Sequence, residues 1–263
     1  MAAAVEYIQK DSPVHRLNAA TKIFWALFTL ACGLLFNDYR YLLGLLASVL
    51  LVAAAGRVLK NLLPAITGLS VFALILLLIQ ALFYDQGQVI FHLIPQTSYL
   101  PVTNYGILSG VAMAARMLSL VLSFLVLLAT TRIQDMVLTM VEKFKMPYDY
   151  AFMFMTTLRF IPTFLGEVRQ ITDAQKARGH AVEGFNPFKK IRSYAPVTVP
   201  LVLISLNKAE NMAMAMETRG YGGGRRTYFK EPKMRGADYL LTAVLLLLLV
   251  LGVTARVKGL GVM

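Results

Sequence analysis

Cysteine is nearly absent. The 263 residues hold one, Cys32, inside an apolar run. A single thiol forms no internal disulfide and no thiolate metal cage, and Cys32 reads as a small hydrophobe in a helix. Histidine is scarce as well: His15, His92 and His180 lie far apart and match no metal-ligand spacing, so no metal site is expected. There is no phosphate loop. Gly222, Gly223, Gly224, Arg225 and Arg226 form a glycine-rich stretch, but it lacks the lysine and the preceding strand that such a loop needs. No nucleophile–base pair stands out, and the acids Asp135, Asp149 and Asp173 are scattered, as expected of solvated helix faces. These absences exclude the common catalytic chemistries, and the chain is read as a non-enzyme with no cofactor. A cleavable leader is not expected either, because Asp11, Ser12 and Pro13 interrupt the chain before any apolar run.

Charge is sparse and one-sided. Charged residues make up 15% of the chain, yet the formal net charge is +12. Hydrophobic residues make up 57%, with mean hydropathy +0.62. A soluble domain sits nearer ~45–50% apolar, so the excess must face lipid or protein. The cations are therefore assigned to a membrane surface rather than to nucleic acid. Five segments are apolar enough to enter a bilayer: 19–36, 41–55, 64–83, 105–129 and 237–255. The first two are short against the ~20 residues a span usually needs.

Lys10, Arg16 and Lys22 precede or open the first span, and Arg57 and Lys60 follow the second. Residues 131–235 hold 17 Lys and Arg against 9 Asp and Glu, whereas 84–104 hold no Lys or Arg. The positive-inside rule then places the N-terminus, the 56–61 turn and 131–235 in the cytoplasm, with 84–104 and the C-terminus outside. Arg256 and Lys258 are a mild violation. The expected organisation is a membrane region of four spans (1–130), a cytoplasmic helical region (131–235) and a last membrane helix (236–263). Within the fourth span Gly106, Gly110 and Ala114 recur every four residues, which suits close approach of another helix, although such spacing also arises by chance. Arg116 in the same span must either turn inward or snorkel to an interface.

The basic region reads as three helices. Ile133, Met136, Val137, Met140, Val141 and Phe144 follow an amphipathic rhythm, with Gln134, Asp135, Thr139, Glu142 and Lys143 on the other face. Pro147 breaks this helix from a second, which runs to Ala177 or Arg178. That helix carries a stripe at Ile161, Phe164, Leu165, Val168 and Ile171, and Pro162 is expected to bend it. A third runs from about Lys189 to Arg219, with Pro196 and Pro200 expected to bend or break its first half. Its end is rich in methionine (Met212, Met214 and Met216), which suits a surface that repacks.

Two of these helices stop alike, one at Ala177-Arg178-Gly179 and the other at Thr218-Arg219-Gly220. Glycine just past a helix takes the left-handed conformation without strain. An arginine there sits at the negative end of the helix dipole and projects a five-donor fork. One such end is an ordinary helix stop. Two, each ending a long basic-side helix, suggest paired docking tips for two partner subunits.

The chain resembles, from end to end, the transmembrane coupling subunits (T components) of energy-coupling factor transporters, the EcfT/CbiQ family. The matching stretches are Asp11-Ser12-Pro13-Val14-His15-Arg16-Leu17, Lys145-Met146-Pro147, Arg159-Phe160-Ile161-Pro162-Thr163 through Glu167, and Asp173 through Gly179. Ala215-Met216-Glu217-Thr218-Arg219-Gly220-Tyr221 matches the second arginine motif. Two departures stand out: Asn18-Ala19 replaces a frequent Asp-Pro, and Thr218 replaces a frequent alanine. Asn18 can still cap the first helix.

The resemblance implies an all-α membrane protein with about five transmembrane helices and three cytoplasmic coupling helices, in the plasma membrane of a prokaryote. It implies two ABC-type ATPase partners and a membrane substrate-binding subunit that takes up a vitamin or a metal ion such as cobalt or nickel. Ala177, Arg178, Gly179, Thr218, Arg219 and Gly220 would then couple to the ATPases. Competing readings are a pore-forming permease of an ordinary ABC importer and a membrane-embedded lipid enzyme. Few spans remain for a pore, and the clustered Asp or His of the enzyme is missing.

Overall fold

The computed structural model describes residues 7–83, 89–92, 101–144, 146–179, 194–224 and 234–258. Eight helices carry the fold among them: α1 Ala19–Leu35, α2 Tyr39–Ala55, α3 Leu59–Phe83, α4 Asn104–Thr130, α5 Ile133–Phe144, α6 Tyr148–Ala177, α7 Ala195–Thr218 and α8 Gly236–Val257. A short ladder not foreseen from the sequence joins α3 to α4, with β1 Val89–His92 antiparallel to β2 Pro101–Thr103. Its register slips between Val89 and Phe91. Strands this short leave almost no alternation to read.

The chain forms two compact units. Met1–Lys145 with Pro232–Met263 makes the first, and Met146–Glu231 the second. In the first, α3, α4 and α8 are long and apolar enough to cross a membrane. Helices α1 and α2 have 17 residues each, about 26 Å at 1.5 Å per residue, slightly under the ~30 Å hydrocarbon core. The five expected spans are thus three of full length and two short ones. Side-chain caps mark the starts: Asn18 accepts from the Ala20 N–H, Asp38 from the Arg40 N–H and Thr103 from the Gly106 N–H. The third span begins five residues before the expected Pro64. A proline there removes only the bond to the Lys60 carbonyl, and Lys60 is exposed.

Helix α4 is the centre of this unit. Of its apolar window 44% is buried, against 11% for α3 and 6% for α8, so the last two turn most of their surface outward. The small-residue stripe makes a close helix contact. A Cβ added to Gly110 would lie 3.0 Å from the Leu77 carbonyl oxygen, and one on Gly106 would lie 3.2 Å from that of Ala81. Backbones this near leave no room for a side chain, which is why glycines stand there. Arg116 turns inward: its Nη2 donates to the Phe36 carbonyl (2.9 Å) and to Asn37 Oδ1 (2.8 Å). It therefore neutralises the negative end of α1, whose last carbonyls lack helical partners.

A polar knot ties the opposite end. Asp238, in the first turn of α8, is 1% exposed. Its Oδ1 accepts from the Asn18 N–H (2.9 Å) and the Thr21 hydroxyl (3.3 Å), and its Oδ2 from the Arg235 N–H (2.9 Å). Beside it Lys22 is buried, donating to the Thr130 carbonyl at 2.9 Å. The segment before α1 is fastened there by His15. Its Nε2 lies 2.9 Å from the Ile8 carbonyl and its Nδ1 2.7 Å from Ser12 Oγ. A carbonyl only accepts, so Nε2 carries the proton and the Ser12 hydroxyl donates to Nδ1.

Helix α5 belongs to the first unit and packs on α1. It forms over the predicted residues, and of the expected stripe Val137 is buried and Met136 and Val141 are half-buried, but the buried side is corrected at three positions. Thr139, assigned to the polar face, is 1% exposed, whereas Met140 is 43% and Ile133 47% exposed. The Thr139 hydroxyl donates to the Asp135 carbonyl at 2.8 Å, so its polarity is satisfied within the helix and it packs as a small residue. Asp135 is half-buried rather than solvated, on the same i, i+4 side.

Candidate functional site

The second unit is a two-helix hairpin that positions both arginine motifs. Three pairings set its register. Gln175 Nε2 donates to the Pro196 carbonyl (3.3 Å), Lys208 pairs with Glu167, and the Tyr221 hydroxyl donates to Asp149 Oδ1 (3.0 Å). Partners late in α6 meet partners early in α7, and the reverse, so the helices run antiparallel. Asp149 and Gln175 are 26 residues apart on α6, about 39 Å at 1.5 Å per residue. The end of α6 and the end of α7 therefore lie at opposite ends of the hairpin, with Arg178 and Arg219 about 40 Å apart measured along the helix.

None of the three prolines in these two helices interrupts its helix. α6 continues through Pro162, and Pro196 opens α7 in its first turn, where a missing N–H costs nothing. Helix α7 also continues through Pro200, so of the expected bend or break no break is found at either proline. Helix α7 begins at Ala195, and the expected start at Lys189 lies outside the described residues. Of the apolar stripe on α6, Phe164, Val168 and Ile171 are half-buried beside Glu167 and Gln175. Ile161 and Leu165 are exposed.

The two tips are built alike. Arg178 and Arg219 are the C-caps, with φ −84 and ψ 9 at the first and φ −91 and ψ 6 at the second. Gly179 at φ 83 and Gly220 at φ 71 then reverse the chain. The Gly179 N–H reaches the Lys176 carbonyl and the Gly220 N–H the Glu217 carbonyl, both at 2.9 Å. The Tyr221 N–H bonds the Met216 carbonyl at 2.9 Å, completing a Schellman stop at the second tip. An L side chain at either glycine would be strained by ~1–2 kcal/mol although space is open around it. Ala177, Arg178, Gly179, Thr218, Arg219 and Gly220 are all exposed. Each tip thus presents a guanidinium at the negative end of a long helix, on a backbone fixed by bonds to the Lys176 carbonyl at one tip and the Met216 and Glu217 carbonyls at the other.

One support was missed by sequence reasoning. The Tyr221 ring lies 5.2 Å from that of Phe152, and its hydroxyl reaches Asp149 in the first turn of α6. Tyr221 thereby holds the Arg219 tip on the start of α6. Asp149 is exposed as expected, yet it is engaged. Its signal in the sequence is only a carboxylate in a first helical turn, where many serve the helix dipole alone. Among the described residues no group of histidine, cysteine and acidic side chains could hold a metal ion.

Residues 10–229 match the family model described as cobalt transport protein, CbiQ. The chain is 32% identical over 253 residues to energy-coupling factor transporter transmembrane protein EcfT 1 of Listeria monocytogenes, covering 92% of this chain and 93% of that one. It is also 32% identical to EcfT of Lactococcus lactis over 258 residues, with 93% and 94% covered. EcfT of Limosilactobacillus fermentum is 32% identical over 269 residues, with 95% and 96% covered. The membrane helices, the double arginine stop and these similarities lead to one assignment: the chain belongs to the EcfT/CbiQ family of energy-coupling factor transmembrane proteins.

Proposed function

We propose that this chain is the non-enzymatic coupling subunit of its transporter, and that the α6–α7 hairpin is the coupling element. Arg178 docks on one ABC-type ATPase subunit and Arg219 on the other. Nucleotide-driven closing of that pair moves the hairpin, and the motion passes to a membrane substrate-binding subunit that takes up a vitamin or a metal ion. The reading places the N-terminus and residues 131–235 in the cytoplasm, where 17 cations outweigh 9 acids.

The observation that carries this reading is the antiparallel register, which sets two equivalent arginine tips about 40 Å apart at opposite ends of one rod. Two tips at one end would serve a single partner, whereas two at opposite ends suit a pair of like partners. Apolar side chains exposed along the same rod, Met153, Phe154 and Leu165 on α6 with Leu203, Leu206 and Met214 on α7, leave surface for a further membrane subunit.

Complex capture and substrate uptake by Arg178→Ala, Arg219→Ala and the double variant test the reading. Truncating one side of a buried charge-assisted pair costs ~2–5 kcal/mol, so each single change should weaken ATPase attachment or uncouple uptake. The double change should be worse, and lysine should restore only part of the loss because it lacks the planar fork. A double variant that assembles and transports like the parent would reduce both motifs to helix stops.

A further inference from the structure

A cavity of about 290 Å³ lies in the first unit where four helix ends meet: the starts of α1 and α8 and the ends of α2 and α4. Its wall is apolar, with Trp25, Val52, Val126, Leu127 and Leu241 among the lining residues. Polar groups border it, but they are turned into the protein. Lys22 donates to the Thr130 carbonyl, the Thr130 hydroxyl to the Val126 carbonyl, and the Thr21 hydroxyl to Asp238. The hydroxyl and ammonium groups of the wall are thus engaged within the protein, and the surface facing the cavity is almost wholly apolar. Leu51 and Ala55, also in the wall, are exposed, so the cavity opens outward along α2. An occupant must be slim and apolar.

The mouth is cationic. Arg16 stands between the lining residues Val14 and Leu17, and Arg57 lies two residues beyond Ala55; both are exposed. The Lys10 ammonium is anchored beside them, donating to the Arg57 carbonyl (3.0 Å) and to Asn61 Oδ1 (2.8 Å), and Lys60 follows. Asp11 is exposed near these cations, while Asp135 and Asp238 lie deeper, beside the wall residue Lys22, and among the described residues none of the four cations is ion-paired. Arg57 has φ 55, the left-handed conformation that glycine adopts more cheaply, so a strained backbone keeps a cation at this place. An apolar slot beneath a cationic rim, at the end of membrane helices, has the chemistry of an anionic lipid: chain below, phosphate above.

We propose that this cavity holds one acyl chain of an anionic phospholipid whose phosphate is bound by Arg16 and Arg57. The site is separate from the arginine tips and does not depend on their role. Filling it covers apolar wall that the four helix ends leave open and joins α1 and α2 through the headgroup.

Native mass spectrometry of the full chain, exchanged into phosphatidylglycerol or phosphatidylcholine of identical chains, tests the proposal. The parent should retain one phosphatidylglycerol at least about tenfold more than phosphatidylcholine. Arg16→Gln with Arg57→Gln should bring the two lipids level. Both arginines are exposed, so this variant should keep the parent's thermal midpoint. Ala55→Phe, which fills the slot and leaves the rim, should lose both lipids. Equal retention of the two lipids by the parent, or a preference that survives both variants, overturns the proposal. So does phosphatidylglycerol held by the isolated chain but excluded from the assembled transporter, since the occupant is then a protein segment.

Discussion

Replacing Gly110 by alanine should loosen the membrane unit, and the structure sets the size of the effect. The new Cβ would stand 3.0 Å from the Leu77 carbonyl oxygen and 3.3 Å from Leu77 Cα. Ordinary contact begins near 3.4 Å, and the obstacle is backbone, so α3 and α4 must part by a few tenths of an ångström along their interface. Overpacking of this kind costs ~1–3 kcal/mol. Alanine returns ~0.5–1 kcal/mol because glycine is the poorer helix former. The net loss should lie between about 0 and 2.5 kcal/mol. Gly68→Ala is the matched comparison, in α3 with nothing within 4 Å of the added carbon. It should gain the ~0.5–1 kcal/mol without the clash. Thermal unfolding of both variants in one detergent, followed by circular dichroism, should show shifts of opposite sign, and Gly110→Val should fall below Gly110→Ala. If both alanine variants moved the same way, the close approach of α3 and α4 would be wrong.

Three further outcomes follow from particular contacts. Thr139→Asp should destabilise the isolated chain by roughly 1–3 kcal/mol, because a charge would enter a buried position, while Met140→Asp should have little effect in the same thermal scan. Equal effects would mean that α5 does not bury its Thr139 side. Tyr221→Phe removes the bond to Asp149 and should cost ~0.5–1.5 kcal/mol. Amide exchange at 216–221 should quicken while α3 and α4 are unchanged, and unaltered exchange there would dismiss the latch. His15 is held below its usual pKa of 6.5, chiefly by burial, with the Ile8 carbonyl opposing and Lys22 assisting the shift. The unfolded chain therefore takes up the proton first. The His15 contribution is complete above about pH 6.5 and is lost as pH falls toward the lower folded value. The thermal midpoint should drop between pH 7 and 5, and His15→Asn should flatten that drop. A slope identical in the variant would place the titration elsewhere.

Much of the architecture is legible in the residues because each signal is local. Long apolar runs mark α3, α4 and α8, and Asn18 marks the start of α1. Gly179 and Gly220 end α6 and α7 where the motif places them. The stripe of Gly106, Gly110 and Ala114 predicts close packing because backbone proximity demands small residues whatever the partner. Features that rest on distant pairs are hidden. The hairpin register depends on Asp149 meeting Tyr221 and Glu167 meeting Lys208, and neither residue of a pair names the other. The buried face of α5 keeps Val137 of the expected stripe and departs from it at Thr139 for a chemical reason. A threonine counted as polar becomes an inward residue once its hydroxyl bonds the preceding turn. Asp238 went unnoticed as one acid at the head of an apolar run, where a surface position is the ordinary expectation.

The Asp238 knot also constrains how the chain is made. Asn18 and Asp238 are separated by 220 positions, and residues 146–231 form a separate compact unit between them in sequence. A ribosome passes from the end of α4 at Thr130 to Asp238 in roughly 5–20 s at ~5–20 residues per second. Throughout that interval the Asn18 N–H and the Thr21 hydroxyl lack their acceptor, and the first four membrane helices wait for their last member. Biogenesis of this protein thus has a vulnerable window, closed only when the final helix delivers one carboxylate to the head of the first.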